Sequence, residues 1–401
     1  MHKLWYIIFL FINILQISLE SKKLILIQSV WRHGERIPTA TYPNDPINQE
    51  NWNLPFGSLT KKGILQHVIQ GKKLRKRYID ELNFINKKYI PHEVEARSTI
   101  VDRCLQSAYA NFCGLYSNDN KTILNDDDNL SCNLMFVPIK TDYFGSDKVW
   151  EEGKNCNVLK KLREQRMRMV VPHLEEKYKT FLEYISFHSG IPNMTIVDMV
   201  HLHNIISVQK HLNITQKSWL TKETFSQMQN LSSLLNSFYD GEEGFNVDRD
   251  KRIIRLHGGP LFKFIFDNFE KRILFKSSPT LYTNNNTYFK LNDFKHKLYF
   301  SFSAHDLNIF SILRLLGATN IIFRDSLFPD FSTMLVFELW QRDIFNYDIA
   351  LLYSKNDKSE LENVTRYIKG CGGGDYCKFD ILKILIKDLL PTNVEKECSI
   401  E

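Results

Sequence analysis

After its first eighteen residues, this chain of 401 residues has no apolar run long enough to cross a bilayer; even "ILKILIKDLL", Ile381 to Leu390, is interrupted by lysines and an aspartate. Internal repeats and long low-complexity tracts are absent too, so neither a solenoid nor a compositionally disordered chain fits. No nucleic-acid-binding motif occurs. The 52 Lys and Arg are spread among 46 acidic residues, and the net charge of +6 favours anionic partners without pointing to nucleic acid. Cysteine is scarce and odd in number, seven in all, so at least one lacks an intrachain partner.

What is present begins with "MHKLWYIIFLFINILQIS", in which His2 and Lys3 precede an apolar run that is short for a span and is followed by polar sequence. This pattern predicts a signal peptide over residues 1–21, cleaved near Glu20 or Ser21, and no membrane span in the mature protein. Sequons at Asn120, Asn129, Asn193, Asn213, Asn230, Asn285 and Asn363 agree with passage through the secretory pathway, where disulfides are permitted.

The apolar run Leu24 to Val30 reads as a buried strand, and Leu59 to Tyr78 carries apolar residues near helical spacing with Thr60 as N-cap. A short strand from His92 to Ser98 then leads into a second helix. Strand, helix, strand, helix indicates an α/β fold: a doubly wound mixed or parallel sheet flanked by helices. From Cys156 to Arg255 the pattern turns helical with polar faces, which predicts a smaller α-helical cap inserted at 156–255. Strands at His296–Ser303 and Ser332–Trp340 resume the sheet, so the α/β domain comprises 22–155 and 256–401.

Chemistry concentrates at strand-to-helix junctions, which lie along one edge of such a sheet. "VWRHGERIP", Val30 to Pro38, follows the first strand; Arg97 ends the second; "SAHD", Ser303 to Asp306, follows a third. Arg32, Arg36 and Arg97 would offer the fixed N–H forks that suit a tetrahedral phosphate. His33, among positive charges, would stay neutral and able to attack phosphorus, with Gly34 letting the backbone turn closely. Asp306 is placed to protonate the departing alcohol and later to activate water, and His305 adds charge at the phosphate oxygens. The arginines supply what a cation supplies elsewhere, so no metal or cofactor is required. "HLH" at His201 and His203 lacks further ligands at metal spacing and reads as ordinary helix or loop. "KKLRKRY" reads as a solvated helix face.

"RHGERIP", "TYPNDP", "LTKKGILQ", "ARSTIVDR" and "SAHD" resemble the signatures of the histidine acid phosphatases, the branch that contains prostatic and lysosomal acid phosphatases. The resemblance implies a secreted or lysosomal, metal-independent phosphomonoesterase acting on small-molecule phosphate esters through phosphohistidine. By position, His33 is its nucleophile, Arg32, Arg36 and Arg97 its phosphate ligands, and His305 and Asp306 its second histidine and acid. Glu35 replaces an aspartate at a position not expected to touch phosphorus, and Lys140 replaces a histidine at the substrate rim. The resemblance also implies disulfides Cys156–Cys398 and Cys371–Cys377 and a homodimer; Cys104 and Cys113 lie on one predicted helix too far apart to pair, which leaves them and Cys132 as buried thiols. A dedicated inositol-phosphate or lysophospholipid phosphatase of the same chemistry, or a binding protein that kept the fold without catalysis, are the alternatives.

Overall fold

The computed structural model describes residues 22–47, 49–117, 137–142, 156–277, 294–323 and 328–399. The expected signal peptide, the sequons at Asn120, Asn129 and Asn285, and Cys132 lie outside these residues. In chain order the elements are β1 (Lys23–Arg32), α1 (Lys61–Arg75), β2 (Val94–Ser98), α2 (Asp102–Leu115) and β3 (Ile139–Lys140). Four helices follow: α3 (Asn157–Lys177), α4 (Lys179–Ser189), α5 (Ile196–His211) and α6 (Lys222–Tyr239). Then come α7 (Lys251–Ser277), β4 (Tyr299–Ala304), α8 (Asp306–Leu315), α9 (Asn320–Phe323), β5 (Met334–Gln341) and β6 (Tyr347–Ser354). Last are β7 (Glu362–Asn363), β8 (Cys377–Lys378), α10 (Phe379–Ile386) and α11 (Val394–Cys398).

The sheet runs β3-β2-β4-β1-β5-β6-β7, with β8 on β6. Its first four strands are parallel; β5 and β6 are antiparallel, so the sheet is mixed. β1 lies between β4 and β5 and is covered on both faces, which explains nine consecutive buried residues rather than an alternating pattern. Leu26 and Val30 pack with Phe262, Ile265 and Phe266 of α7 and Ile309 of α8. Ile27 and Trp31 pack on the opposite face with Leu74 of α1 and Phe112 of α2. The buried amide of Gln28 is satisfied on the α7 side, donating to the Ile265 carbonyl at 2.7 Å and accepting from Asn268 at 2.9 Å.

α1 begins where the sequence places its cap: the Thr60 hydroxyl accepts from the Gly63 N–H at 3.0 Å. α3 to α6 hold a core of their own around Met199, Ile206, Met228 and Phe238, joined by Tyr42 from the loop after β1. α7 crosses the expected 255/256 boundary without a break. Buried Asp240 after α6 receives Arg163 of α3 at 2.7 Å and Arg314 of α8 at 2.6 Å, an ionic tie between the two helical layers.

Cys156–Cys398 joins the start of α3 to α11, and Cys371–Cys377 closes a short loop. Cys113 is disulfide-bonded, not the buried thiol expected. Asn193, Asn213 and Asn230 are exposed. The Asn363 amide is instead engaged, donating to the Asp375 carbonyl at 2.9 Å while accepting from the Thr365 N–H at 3.0 Å.

Candidate active site

β1 and β4 are parallel neighbours with Arg32 opposite Ala304, so the residues that follow, His33 and His305, leave the sheet side by side. The His33 N–H still donates to the Ala304 carbonyl at 3.0 Å. The two rings stand 5.6 Å apart, edge to face. Gly34 is needed here for close approach rather than for a left-handed turn: a Cβ on it would sit 2.1 Å from the Gly63 carbonyl oxygen of α1.

His33 is 2% exposed, and its Nδ1 lies 2.9 Å from the Gly34 carbonyl. A carbonyl only accepts, so Nδ1 carries the proton and Nε2 keeps its lone pair. Burial, then the charges of Arg32, His305, Arg103 and Arg36, hold this imidazole well below its ordinary pKa. His305 contacts the Thr99 hydroxyl through Nε2 at 3.2 Å. Burial and Arg103 push His305 down to about 4 against the opposing pull of Asp306.

Asp306 opens α8 and accepts from the Leu307 N–H at 2.9 Å and from Arg32 Nη2 at 2.9 Å. Burial works against its charge, but Arg32, His305 and Arg36 outweigh that and keep the carboxyl below the usual range. Arg32 also donates Nη1 to the Pro329 carbonyl at 2.5 Å and lies 4.2 Å over the Phe331 ring. Arg36 donates to the Ile37 carbonyl at 3.0 Å, and burial followed by Arg32 and Arg103 pushes it down to about 9. The Nε atoms of Arg32, Arg36 and Arg103 are buried without hydrogen-bond partners, so three guanidinium groups around His33 keep unused donors.

Arg97 is not part of this array. On β2 it stands opposite Phe302, donates Nη2 to Asp142 at 3.1 Å and lies 5.1 Å over the Phe264 ring of α7. Strand alternation sends its side chain toward the α7 face, whereas the arginine whose charge weighs on His33, Arg32, Arg36 and His305 is Arg103, in the first turn of α2. Both arginines stand in "ARSTIVDR", and only the path of the chain between them separates their roles. Lys140 likewise turns aside, pairing with Glu95 at 3.1 Å and lining no part of the cleft.

The cleft over the site holds about 640 Å³. Arg32, Asp306 and Phe331 form its floor, and His201, His203 and His211 of α5 form the opposite wall. The "HLH" pair is thus helical and faces the cleft. His203 contacts the Ser207 hydroxyl at 3.0 Å and burial pushes it down to about 4; among the described residues no group of His, Cys, Asp and Glu could hold a metal ion. Glu35, which carried no expected role, links the motif to this wall by accepting from His211 at 2.8 Å.

Residues 23–369 match the family model described as the histidine phosphatase superfamily, branch 2. The chain is 27% identical over 381 residues to the lysosomal acid phosphatase of Xenopus laevis, covering 94% of this chain and 79% of that one. It is 26% identical to the prostatic acid phosphatase of Bos taurus, over 96% of this chain and 89% of its relative. Among solved structures, the apo phytase of Hafnia alvei superposes with a TM-score of 0.64 at 14% identity, over 95% of this chain and 99% of that one. That likeness extends to the mixed sheet flanked by helices on which the site is built. With the family model spanning sheet, helical wall and both histidine junctions, this chain belongs to branch 2 of the histidine phosphatase superfamily.

Proposed function

We propose that this protein is an acid phosphatase that hydrolyses phosphate monoesters through a phosphohistidine at His33. The observation that carries the reading is the His33 Nε2 lone pair, kept available by the Nδ1 contact with Gly34 and ringed by Arg32, Arg36 and Arg103. An unperturbed histidine is mostly protonated at pH 5 and could not attack; one held well below 6.5 remains a nucleophile in acid. Arg32, Arg36 and Arg103 bind the phosphate oxygens. His33 Nε2 then forms a bond to phosphorus as the ester P–O bond breaks, and Asp306 delivers a proton to the leaving oxygen. Water next attacks phosphorus, its proton passes to Asp306, the P–N bond breaks and inorganic phosphate leaves. In the free site Asp306 is ionised against Arg32. A bound phosphate takes over Arg32 and sets negative charge beside the carboxyl, which raises its pKa toward that of an acid able to donate.

The named relatives support placement in the secretory pathway, secreted or lysosomal, and the two disulfides agree with an oxidising compartment. A homodimer belongs to the proposal on resemblance alone. A second reading, a phosphatase dedicated to substrates with several anionic groups such as inositol phosphates, draws on His201, Lys210 and His211 along the cleft's far wall. Rates of the purified protein on small phosphomonoesters, inositol phosphates and lysophospholipids, with and without chelator, test both readings. Comparable rates on many small esters, unaffected by chelator, are expected; one dominant polyphosphate substrate would favour the second reading, and no turnover of any ester would leave a binding relative.

A further inference from the structure

A second concentration of positive charge lies at the other end of β1. The strand is ten residues long, so its start is about 30 Å from the His33 junction. There a cavity of about 580 Å³ opens between the first residues of β1, the segment after α1 and the last turns of α7. Lys23, Arg272 and Lys276 reach it, and Leu24, Phe84 and Trp340 supply apolar wall.

Arg272 is the unusual member. Arg272 is 4% exposed, Nη1 donates to the Lys295 carbonyl at 3.0 Å, the guanidinium lies 5.6 Å over the Phe294 ring, and both Nε and Nη2 are buried without a hydrogen-bond partner. A buried guanidinium normally has a carboxylate beside it, because its desolvation is otherwise uncompensated. Among the described residues lining this cavity there is no Asp or Glu. The nearby acids are engaged elsewhere: Asp348 holds Lys22 at 2.9 Å and Arg342 at 2.6 Å, while Glu338 takes Arg77 at 2.6 Å and the Trp340 indole N–H at 2.9 Å. Lys276, at the exposed rim, adds to the imbalance: partial desolvation and then the charges of Lys23 and Arg272 lower its pKa.

We propose that this cavity is a binding site for a small organic anion, with Arg272, Lys23 and Lys276 holding the anionic head and Leu24, Phe84 and Trp340 holding an apolar body. The unused donors on a buried arginine favour an anionic head group, the absence of a carboxylate among the described lining residues leaves room for it, and the apolar wall suits the rest of the ligand. The volume is that of a site for a small organic molecule. The site is separate from the cleft and does not depend on the reaction proposed there.

Calorimetric titration of the whole chain with octanoate, acetate and octanol tests this, with vanadate saturating the catalytic cleft. Octanoate is expected to bind at least tenfold more tightly than acetate, which lacks the apolar body, and than octanol, which lacks the charge. Lys276→Gln, at an exposed position, and Arg272→Gln, which keeps a donor for Lys295, are each expected to weaken octanoate at least tenfold, with phosphatase activity of the Lys276 variant unchanged. No octanoate binding with the cleft blocked, equal affinity for octanoate and octanol, equal affinity for octanoate and acetate, or binding untouched by Lys276→Gln would each overturn the proposal.

Discussion

Glu35 and His211 meet at 2.8 Å, one in the loop that carries His33 and the other at the end of α5. The same buried carboxylate accepts from Lys62 at 2.5 Å and Thr60 at 2.9 Å, so it fastens the loop to α1 and α5 at once. Burial opposes its charge, but His211, Lys62 and Thr60 prevail and bring it from an ordinary 4.5 to about 2. A folded-state value below the unfolded one means stability that is complete above about pH 4.5 and lost as the pH falls toward 2. Glu35→Gln is therefore expected to cost about 1–3 kcal/mol at pH 7, the exposed Lys62 and His211 being partly screened by solvent, and progressively less below pH 4. Urea unfolding of both proteins at pH 7 and pH 3 measures this; a constant difference would remove the carboxylate charge as the cause.

The two arginines of "ARSTIVDR" are separable by kinetics. Arg103→Gln is expected to weaken inhibition by inorganic phosphate by about 1.5–3 kcal/mol, the worth of a charge-assisted contact. It also removes a positive neighbour of His33, which raises that histidine's pKa, so the loss of kcat/KM in acid should begin at higher pH. Arg97→Gln, whose partner is Asp142, should leave both the phosphate inhibition and the acid limb in place. The reverse pattern would return Arg97 to the site.

Asp306→Asn should separate substrates by leaving group. Alkyl phosphates, whose alcohols leave poorly without a proton, are expected to lose about 10²- to 10⁴-fold in the phosphorylation step, and aryl phosphates with acidic phenols much less. Rapid-quench measurement of alcohol release and of protein-bound phosphate reports both steps. Equal slowing for the two classes would count against Asp306 as the proton donor, and label on a residue other than His33 would overturn the nucleophile.

Gly34→Ala places a methyl group 2.1 Å from the Gly63 carbonyl oxygen, a backbone atom that cannot move without shifting α1. A loss of about 1–3 kcal/mol of stability is expected from this overpacking, with a fall in kcat because the same shift carries His33. Thermal unfolding alongside kcat checks it; a variant with wild-type Tm and kcat would show that the loop and α1 separate freely.

Local pattern alone was enough for β1, for the helix capped by Thr60 and for the junctions that carry His33 and His305 with Asp306, because a strand's apolar run and a helix cap are determined by residues near one another in sequence. β6 was not recognised: its buried residues Tyr347 to Ser354 gain their partners only from β5 on one side and the short β7 and β8 on the other. The choice of Arg103 over Arg97 was equally beyond a linear reading, since both lie in one motif and it is strand alternation on β2 and the seating of α2 that turn one toward His33 and the other toward Phe264. Glu35 meeting His211, and the cations that gather around Arg272, join residues separated by most of a domain. Sequence by itself determined which chemical groups this protein owns and which secondary elements carry them. Only the tertiary structure decided which of those groups share a low-dielectric space, because burial and proximity, and with them every shifted pKa described above, arise when distant segments pack.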